Sequence, residues 1–365
     1  MNSQPRLFAL VSGGGTGGHV YPPIALCQEL VRRGHPVSSL RLVGVRGRLE
    51  ERAWPAAGFE VDLLPGRGLR RRLTLENVGV VWDTLRATLA ALRLVRRFRP
   101  RVVVGFGGYG SLPCVVAGVV TRTPTVVHEQ DAAPGLANRI AVRLGARAAV
   151  SLPDTPLRGA VRTGNPVRTE MVELERAPAV PPMLAVVGGS LGARTLNDAA
   201  LGLYDRWRAR SDVSVFHVCG PRNYDECARR LETLRRDGDG LSYDLVSYEE
   251  HLDRIYAHAS LALCRAGAGT VAELTAAGVP SVLVPLPGAP SDHQTHNART
   301  LADAGAAVLL PDAECDARRV DEIAGGLLAD RASLALMGEQ ASALARPHAA
   351  AALADLVEEA ARVRA

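Results

Sequence analysis

Two stretches of this sequence put bare backbone where chemistry can use it. VSGGGTGGHVYPP, Val11 to Pro23, carries five glycines among the six residues Gly13 to Gly18 and then His19. RAGAGTVAELTAAG, Arg265 to Gly278, sets Gly267 and Gly269 ahead of Thr270 and Glu273. Glycine lets a loop present its N–H groups with no side chain in the way, and N–H groups at a helix start gather around anions. Both stretches therefore suit a diphosphate. Glu273, about one turn into its helix, adds a carboxylate that can accept from both hydroxyls of a ribose. His19 stands where the glycine loop meets a helix, whose positive end favours the neutral imidazole, the form needed by a general base. GGSLGAR, Gly188 to Arg194, is a third anion-ready loop. DHQTHNA, Asp292 to Ala298, brings the amides of Gln294 and Asn297 and two imidazoles suited to sugar hydroxyls.

A second chemistry fits part of the same pattern. Gly13, Gly15 and Gly18 satisfy GxGxxG between a strand and a helix, the spacing of a dinucleotide site. The acidic residue expected at the end of the following strand is missing, because SSLRLVGVRGR ends in Arg46 and Arg48. An NADP-dependent oxidoreductase using Arg46 thus stands as the alternative from another class. A tight turn that needs glycine only for packing explains one or two of these glycines, and there are five.

Composition removes other chemistries. All 43 basic residues are arginine, so there is no Walker lysine, Schiff-base lysine or lysine general base. The net charge of +5 permits an anionic partner without naming one, and nothing in the pattern asks for nucleic acid. The six cysteines, Cys27, Cys114, Cys219, Cys227, Cys264 and Cys315, lack CxxC or Cys/His ligand spacing, so buried, reduced thiols are expected and neither disulfides nor zinc.

The elements that must position these loops follow from periodicity. RLFALVS, SSLRLVGV, RPRVVVGFGG and PTVVHEQ are short apolar runs separated by segments of helical length, the rhythm of βαβ units around a parallel sheet. The rhythm restarts at PPMLAVVGGSLGARTLNDAALGLYDRW. With 365 residues, this predicts two Rossmann-like, doubly wound domains facing a cleft. The expected limits are 1–164 and 183–345, joined by a turn-rich linker at 165–182. The final segment, 346–365, carries Leu353, Leu356, Val357, Ala360 and Val363 at helical spacing and is expected to pack back on the first domain. The N-terminus has too short an apolar run for a signal peptide, and no run reaches the roughly 18 apolar residues that span a bilayer. A cytoplasmic protein is expected.

Seven motifs in order, GGGTGGH, GFGGYGSLP, HEQDAAPGLANR, TGNPVR, GGSLGAR, CRAGAGTVAELTAAG and HQTHNARTLADAGAA, resemble the MurG family, bacterial N-acetylglucosaminyltransferases of glycosyltransferase family 28. The resemblance runs from about residue 7 to 312. It implies an α/β protein of the GT-B fold and a hexosyltransferase. The implied reaction moves N-acetylglucosamine, with inversion, from UDP-N-acetylglucosamine to the C4 hydroxyl of the muramyl sugar of lipid I, giving lipid II. It assigns Thr16, Gly17, Gly18, Asp131, Arg168, Ser190, Gly269, Thr270, Glu273, Gln294 and Asn297 to the donor, with Thr16 to Gly18 also bordering the acceptor. Gly14, Gly15, His19, Gly108 and Tyr109 fall to the acceptor. His19, His128 and Glu129 are the competing catalytic bases, and His19 also suits the acceptor pyrophosphate. Helix N-termini and Arg168 would answer the charge on departing UDP, so no metal or cofactor is expected. The family usually has asparagine where this chain has Asp131, glutamine where it has Leu191, and often a second glutamine at His293. Asp131 puts a carboxylate near the expected sugar position and Leu191 removes a polar group from the cleft, leaving open a relative with another sugar or acceptor. Cell-wall and division enzymes are the protein partners such a transferase would meet, and a non-catalytic scaffold for cell-wall enzymes is a third reading.

A lipid-linked acceptor asks for a membrane-facing surface. Arg70, Arg71 and Arg72 precede Leu75 and Trp82 in GLRRRLTLENVGVVWDTLRATLAALRLVRRFRP, a combination suited to an anionic bilayer. Periodicity alone also allows a core-facing helix with a solvated basic face; the family resemblance favours the membrane patch.

Overall fold

The computed structural model describes residues 6–15, 17–65, 76–153 and 155–363, with the side chains of 76–81 and Tyr109 left out of the description. The chain forms two compact units. The first runs to Arg168 and resumes at Pro347; the second is Thr169–Arg346.

The first unit holds a seven-stranded parallel sheet in the order β3-β2-β1-β4-β5-β6-β7. Its strands are β1 (Ala9–Ser12), β2 (Leu40–Val45), β3 (Val61–Leu64), β4 (Val102–Gly105), β5 (Thr125–Glu129), β6 (Arg147–Val150) and β7 (Val161–Arg162). ALVS, VVVG and TVVHE are buried at every position, as strands covered by helices on both faces must be. Helix α1 (Tyr21–Arg32) has Pro22 and Pro23 in its first turn, where no N–H is needed, and buries Ile24, Leu26, Cys27 and Leu30. α2 (Glu50–Ala56), α3 (Glu76–Phe98), α4 (Gly108–Val120) and α5 (Leu136–Arg143) complete the crossovers.

The last helix, Ala349–Arg362, packs on α1 and puts Leu353, Leu356, Val357 and Ala360 into the first unit's core. Val363 does not follow them; it lies past the helix end and is 81% exposed. Arg33 pairs with Asp355 and Glu358, and His35 with Glu358. Each buried aliphatic contributes about 1.5–3 kcal/mol, against about 0–1 for a surface ion pair. Burial therefore holds this helix, and the ion pairs set its register.

The second unit repeats the plan with six parallel strands in the order β10-β9-β8-β11-β12-β13. These are β8 (Met183–Val187), β9 (Ser214–Val218), β10 (Ser242–Val246), β11 (Ala259–Cys264), β12 (Ser281–Leu283) and β13 (Ala307–Leu309). The segment 169–182 is bound into this unit: Met171 is fully buried in its core, and the N–H groups of Ala177 and Ala179 donate to Ala257 O and His258 O. All six cysteines are free and buried. Among the described residues no helix is long and apolar enough to cross a membrane.

Candidate active site

In each sheet the strand order reverses beside the first strand. β1 lies between β2 and β4, and β8 between β9 and β11. Crossovers leave such a strand in opposite directions, and the loops at its carboxyl end open a crevice for ligands. The glycine motifs begin at those ends.

In the first unit the loop after β1 runs into a short 3-10 turn, Gly17–His19, and then α1. Gly14 and Gly15 have φ of +117° and +98°, a region that favours glycine. Their amides already have partners. Gly14 N–H donates to His19 O at 3.0 Å, and Gly15 N–H donates to Glu50 Oε2 at 3.0 Å. An acidic residue thus reaches this loop after all. It comes not from the end of β2 but from the first position of α2, and both its oxygens are spent on backbone amides, the second on Val45 N–H at 3.0 Å. Sequence reading missed Glu50 because it searched for an acid at the strand end. The signal present was an acid opening the very next helix.

His19 packs against Gly107 and Gly108, whose φ values are +69° and +67°. Tyr109 follows in α4, and its side chain is outside the description, as is Thr16 altogether. Arg168, the last residue of the first unit, places its guanidinium 5.0 Å from the Tyr21 ring centroid.

His128 and Glu129 end β5 and are both buried. His128 donates Nε2–H to Gly164 O at 2.9 Å. Burial pushes its imidazole down to about 4, against the opposing effect of that bond, so the ring is neutral. Glu129 accepts from Gln130 N–H at 3.0 Å and Asp131 N–H at 3.2 Å on one oxygen. Its other oxygen accepts from Gly135 N–H at 2.8 Å and Asn138 Nδ2 at 2.9 Å. Burial raises its pKa and these bonds oppose the rise. The carboxylate thereby closes the loop from Gln130 to Gly135. Asn138, a further residue missed from sequence, fastens α5 to that loop and also donates to His128 O.

In the second unit, Ser190 lies in the turn between β8 and the Arg194–Trp207 helix. A Cβ on Gly188 would stand 2.5 Å from Ala193 N, and Gly192 N–H closes the turn on Gly189 O at 2.9 Å. Leu191 projects from it, 55% exposed. A buried network supports the turn from behind. His217 bonds Asn197 Oδ1 at 3.0 Å and Tyr243 OH at 2.8 Å, while Asn197 and Asn223 both donate to Cys219 O.

After β11, Gly267 caps the Ala268–Ala277 helix, so Gly269 and Thr270 occupy its first turn with Glu273 one turn along. Arg265 braces the loop through Val284 O, Pro285 O and Asp312. Asn297 is fully buried and donates Nδ2–H to Ala266 O at 3.1 Å. Gln294 accepts from Leu286 N–H at 2.9 Å through Oε1, which turns its NH2 group elsewhere. His293 is occupied with Pro290 O. The residues expected at the donor therefore divide between the units: Gly17, Gly18, Asp131 and Arg168 belong to the first, and Ser190, Gly269, Thr270, Glu273, Gln294 and Asn297 to the second.

Comparison with known proteins agrees with this architecture. Residues 9–150 match the glycosyltransferase family 28 N-terminal domain, and residues 183–356 match the glycosyltransferase family 28 C-terminal domain. The chain is 42% identical, over 97% of its length and 99% of the relative, to a protein of Alkalilimnicola ehrlichii (strain ATCC BAA-1101 / DSM 17681 / MLHE-1). It is 41% identical, over 98% of its length and 99% of the relative, to one of Acidothermus cellulolyticus (strain ATCC 43068 / DSM 8971 / 11B). Both carry the name UDP-N-acetylglucosamine--N-acetylmuramyl-(pentapeptide) pyrophosphoryl-undecaprenol N-acetylglucosamine transferase. The crystal structure of Acinetobacter baumannii MurG superposes with a TM-score of 0.75 at 27% identity, covering 97% of this chain and 100% of that one.

Proposed function

We propose a division of roles among these residues in a chain that belongs to glycosyltransferase family 28. The chain is an N-acetylglucosaminyltransferase of peptidoglycan synthesis. It moves N-acetylglucosamine from UDP-N-acetylglucosamine to the muramyl sugar of lipid I, giving lipid II. The match to full-length relatives over 97% of the chain carries this reading.

The second unit holds the donor in this proposal. Glu273 accepts from the ribose hydroxyls, and the amides of Gly269 and Thr270 with Ser190 meet the diphosphate. Asn297 spends its amide on Ala266 O and so orients that turn, while the NH2 of Gln294 is left to the sugar.

The first unit holds the acceptor. His19 takes the proton from the C4 hydroxyl as O4 forms its bond to the anomeric carbon and the bond to UDP breaks with inversion, UDP leaving with the electron pair. Charge growing on UDP is answered by backbone amides and by Arg168. Gly17 and Gly18 face the acceptor diphosphate, and Gly14 and Gly15 shape the loop. His128 and Glu129 are assigned to the support of the loop after β5: burial disfavours the charged imidazole that proton uptake by His128 would create, and Glu129 already accepts four N–H bonds. Asp131 borders the sugar.

With a lipid-linked acceptor the enzyme is a peripheral membrane protein. We place it at the cytoplasmic face, with α3 toward the headgroups. Incubation of the pure protein with a lipid I analogue and a panel of UDP-sugars tests the reading. The expected product carries N-acetylglucosamine; no product, or melting-point stabilisation by NADPH in place of UDP, counts against it.

A further inference from the structure

Glu50 has no place in the donor or acceptor sets, yet it is the carboxylate most tightly built into the glycine loop. It is fully buried, and its two oxygens accept from Gly15 N–H and Val45 N–H, each at 3.0 Å. Four residues further along α2, the equally buried Trp54 donates Nε1–H to Val20 O at 2.8 Å. One short helix thus grips the loop on both sides of His19. The neighbouring glycines make room for it. A Cβ on Gly14 would run into Glu50 Oε1, and one on Gly44 would stand 2.5 Å from Glu50 Cγ. A carboxylate is costly to bury unless strong donors meet it, so the loop and Glu50 each require the other's geometry.

We propose that Glu50 is the positioning residue of the glycine loop. Its carboxylate holds Gly15, and with it the left-handed bend at Gly14 and Gly15. The bend in turn sets the His19 backbone, since Gly14 N–H donates to His19 O. The carboxylate also occupies the Gly15 end of the loop and leaves the Gly17–Gly18 end to the acceptor diphosphate. This rests on the reading of the first unit as the acceptor side. Glu50 itself touches neither substrate.

Glu50→Gln keeps the volume but sets an NH2 group against one of the two backbone donors. With the fold checked by melting, the apparent KM for a lipid I analogue is expected to rise roughly tenfold, the scale of one lost charge-assisted bond, and kcat to fall with it. Affinity for UDP-N-acetylglucosamine in calorimetry is expected to stay within about twofold, because the residues proposed for its ribose and diphosphate, Ser190, Gly269, Thr270 and Glu273, are on the other unit. Glu50→Asp, which keeps the charge with a shorter reach, is expected to recover part of the loss. A folded Glu50→Gln enzyme with wild-type acceptor kinetics overturns the proposal, as does an equal loss of donor and acceptor binding. Should Glu50→Gln not fold, Trp54→Phe releases the other grip, and an unchanged acceptor KM there overturns it too. A wild-type enzyme that fails to glycosylate the analogue would instead defeat the reading of the site.

Discussion

The imidazole of His19 lies so close over Gly108 that a Cβ there would stand 2.9 Å from its Cδ2 and 3.3 Å from its Nε2. Gly107 and Gly108, both with positive φ, form the seat of the ring. Gly108→Ala therefore both strains the backbone, by about 1–3 kcal/mol, and pushes the ring aside. With His19 as the proposed base, turnover is expected to fall at least about tenfold, since small displacements of a reacting group are costly, while calorimetric affinity for UDP is retained. Unchanged turnover would show that the ring's seat does not matter to the reaction.

His19→Ala tests the proposed base. Loss of a general base is expected to lower kcat by roughly 100-fold or more and to abolish the acidic limb of the pH–rate profile, with donor binding preserved. A weakened acceptor constant at near-normal turnover would assign His19 to the pyrophosphate.

Glu273→Ala removes the carboxylate one turn into the Ala268–Ala277 helix. If Glu273 holds the ribose as proposed, each charge-assisted bond lost is worth about 1.5–3 kcal/mol, so UDP affinity is expected to drop by roughly tenfold to 100-fold with little change in the acceptor constant. Calorimetry with UDP is decisive, and an unaltered isotherm removes Glu273 from the donor site.

Each unit contains a buried neutral histidine, and the sign of the resulting pH dependence is determined. Burial pushes His128 down to about 4 and His217 to about 3, from an ordinary 6.5. The unfolded chain therefore takes up these protons first. The stabilisation is complete above pH 6.5, is lost as pH falls toward the folded values, and levels off below them. Roughly 3 kcal/mol is at stake for His128. Glu129, raised by burial, acts in the opposite direction. Melting temperature is expected to fall from pH 6.5 to 4, less steeply in His128→Gln, whose NH2 can still meet Gly164 O. Parallel wild-type and variant profiles would contradict this.

On α3 the described face splits cleanly. Ala87, Ala91 and Val95 are buried in the core, whereas Trp82, Leu85 and Leu89 are 57%, 49% and 46% exposed, with the Arg86 guanidinium over the Trp82 ring, 5.7 Å from its centroid. Arg70, Arg71, Arg72 and Leu75 lie outside the described residues. Replacing Trp82, Leu85 and Leu89 with Ser, or Arg70 to Arg72 with Ser, is expected to reduce sedimentation with anionic vesicles and slow reaction with long-chain lipid I. A soluble short-chain acceptor should react as before, and added salt should mimic the arginine substitutions. Equal loss on both acceptors would place these residues in the catalytic fold.

The sequence by itself determined what local pattern can determine. Buried apolar runs such as VVVG and TVVHE specified strands, helical spacing at Leu353 to Ala360 specified a packed last helix, and the glycine clusters marked the loops at the switch points. The ordered motifs identified the family. Tertiary structure decided how each polar group is spent. Gly15 and Glu50 are 35 residues apart and meet because β2 pairs with β1. Glu129 looks like a base in HEQ, but Asn138 and Gly135 come round to occupy it. Asn297, expected at the sugar, donates Nδ2–H to Ala266 O, 31 residues away. A side chain's type states which bonds it can make, whereas the partners that take up those bonds are brought by strand order and loop closure. Only the folded chain therefore shows which of these polar groups already hold the loops in shape.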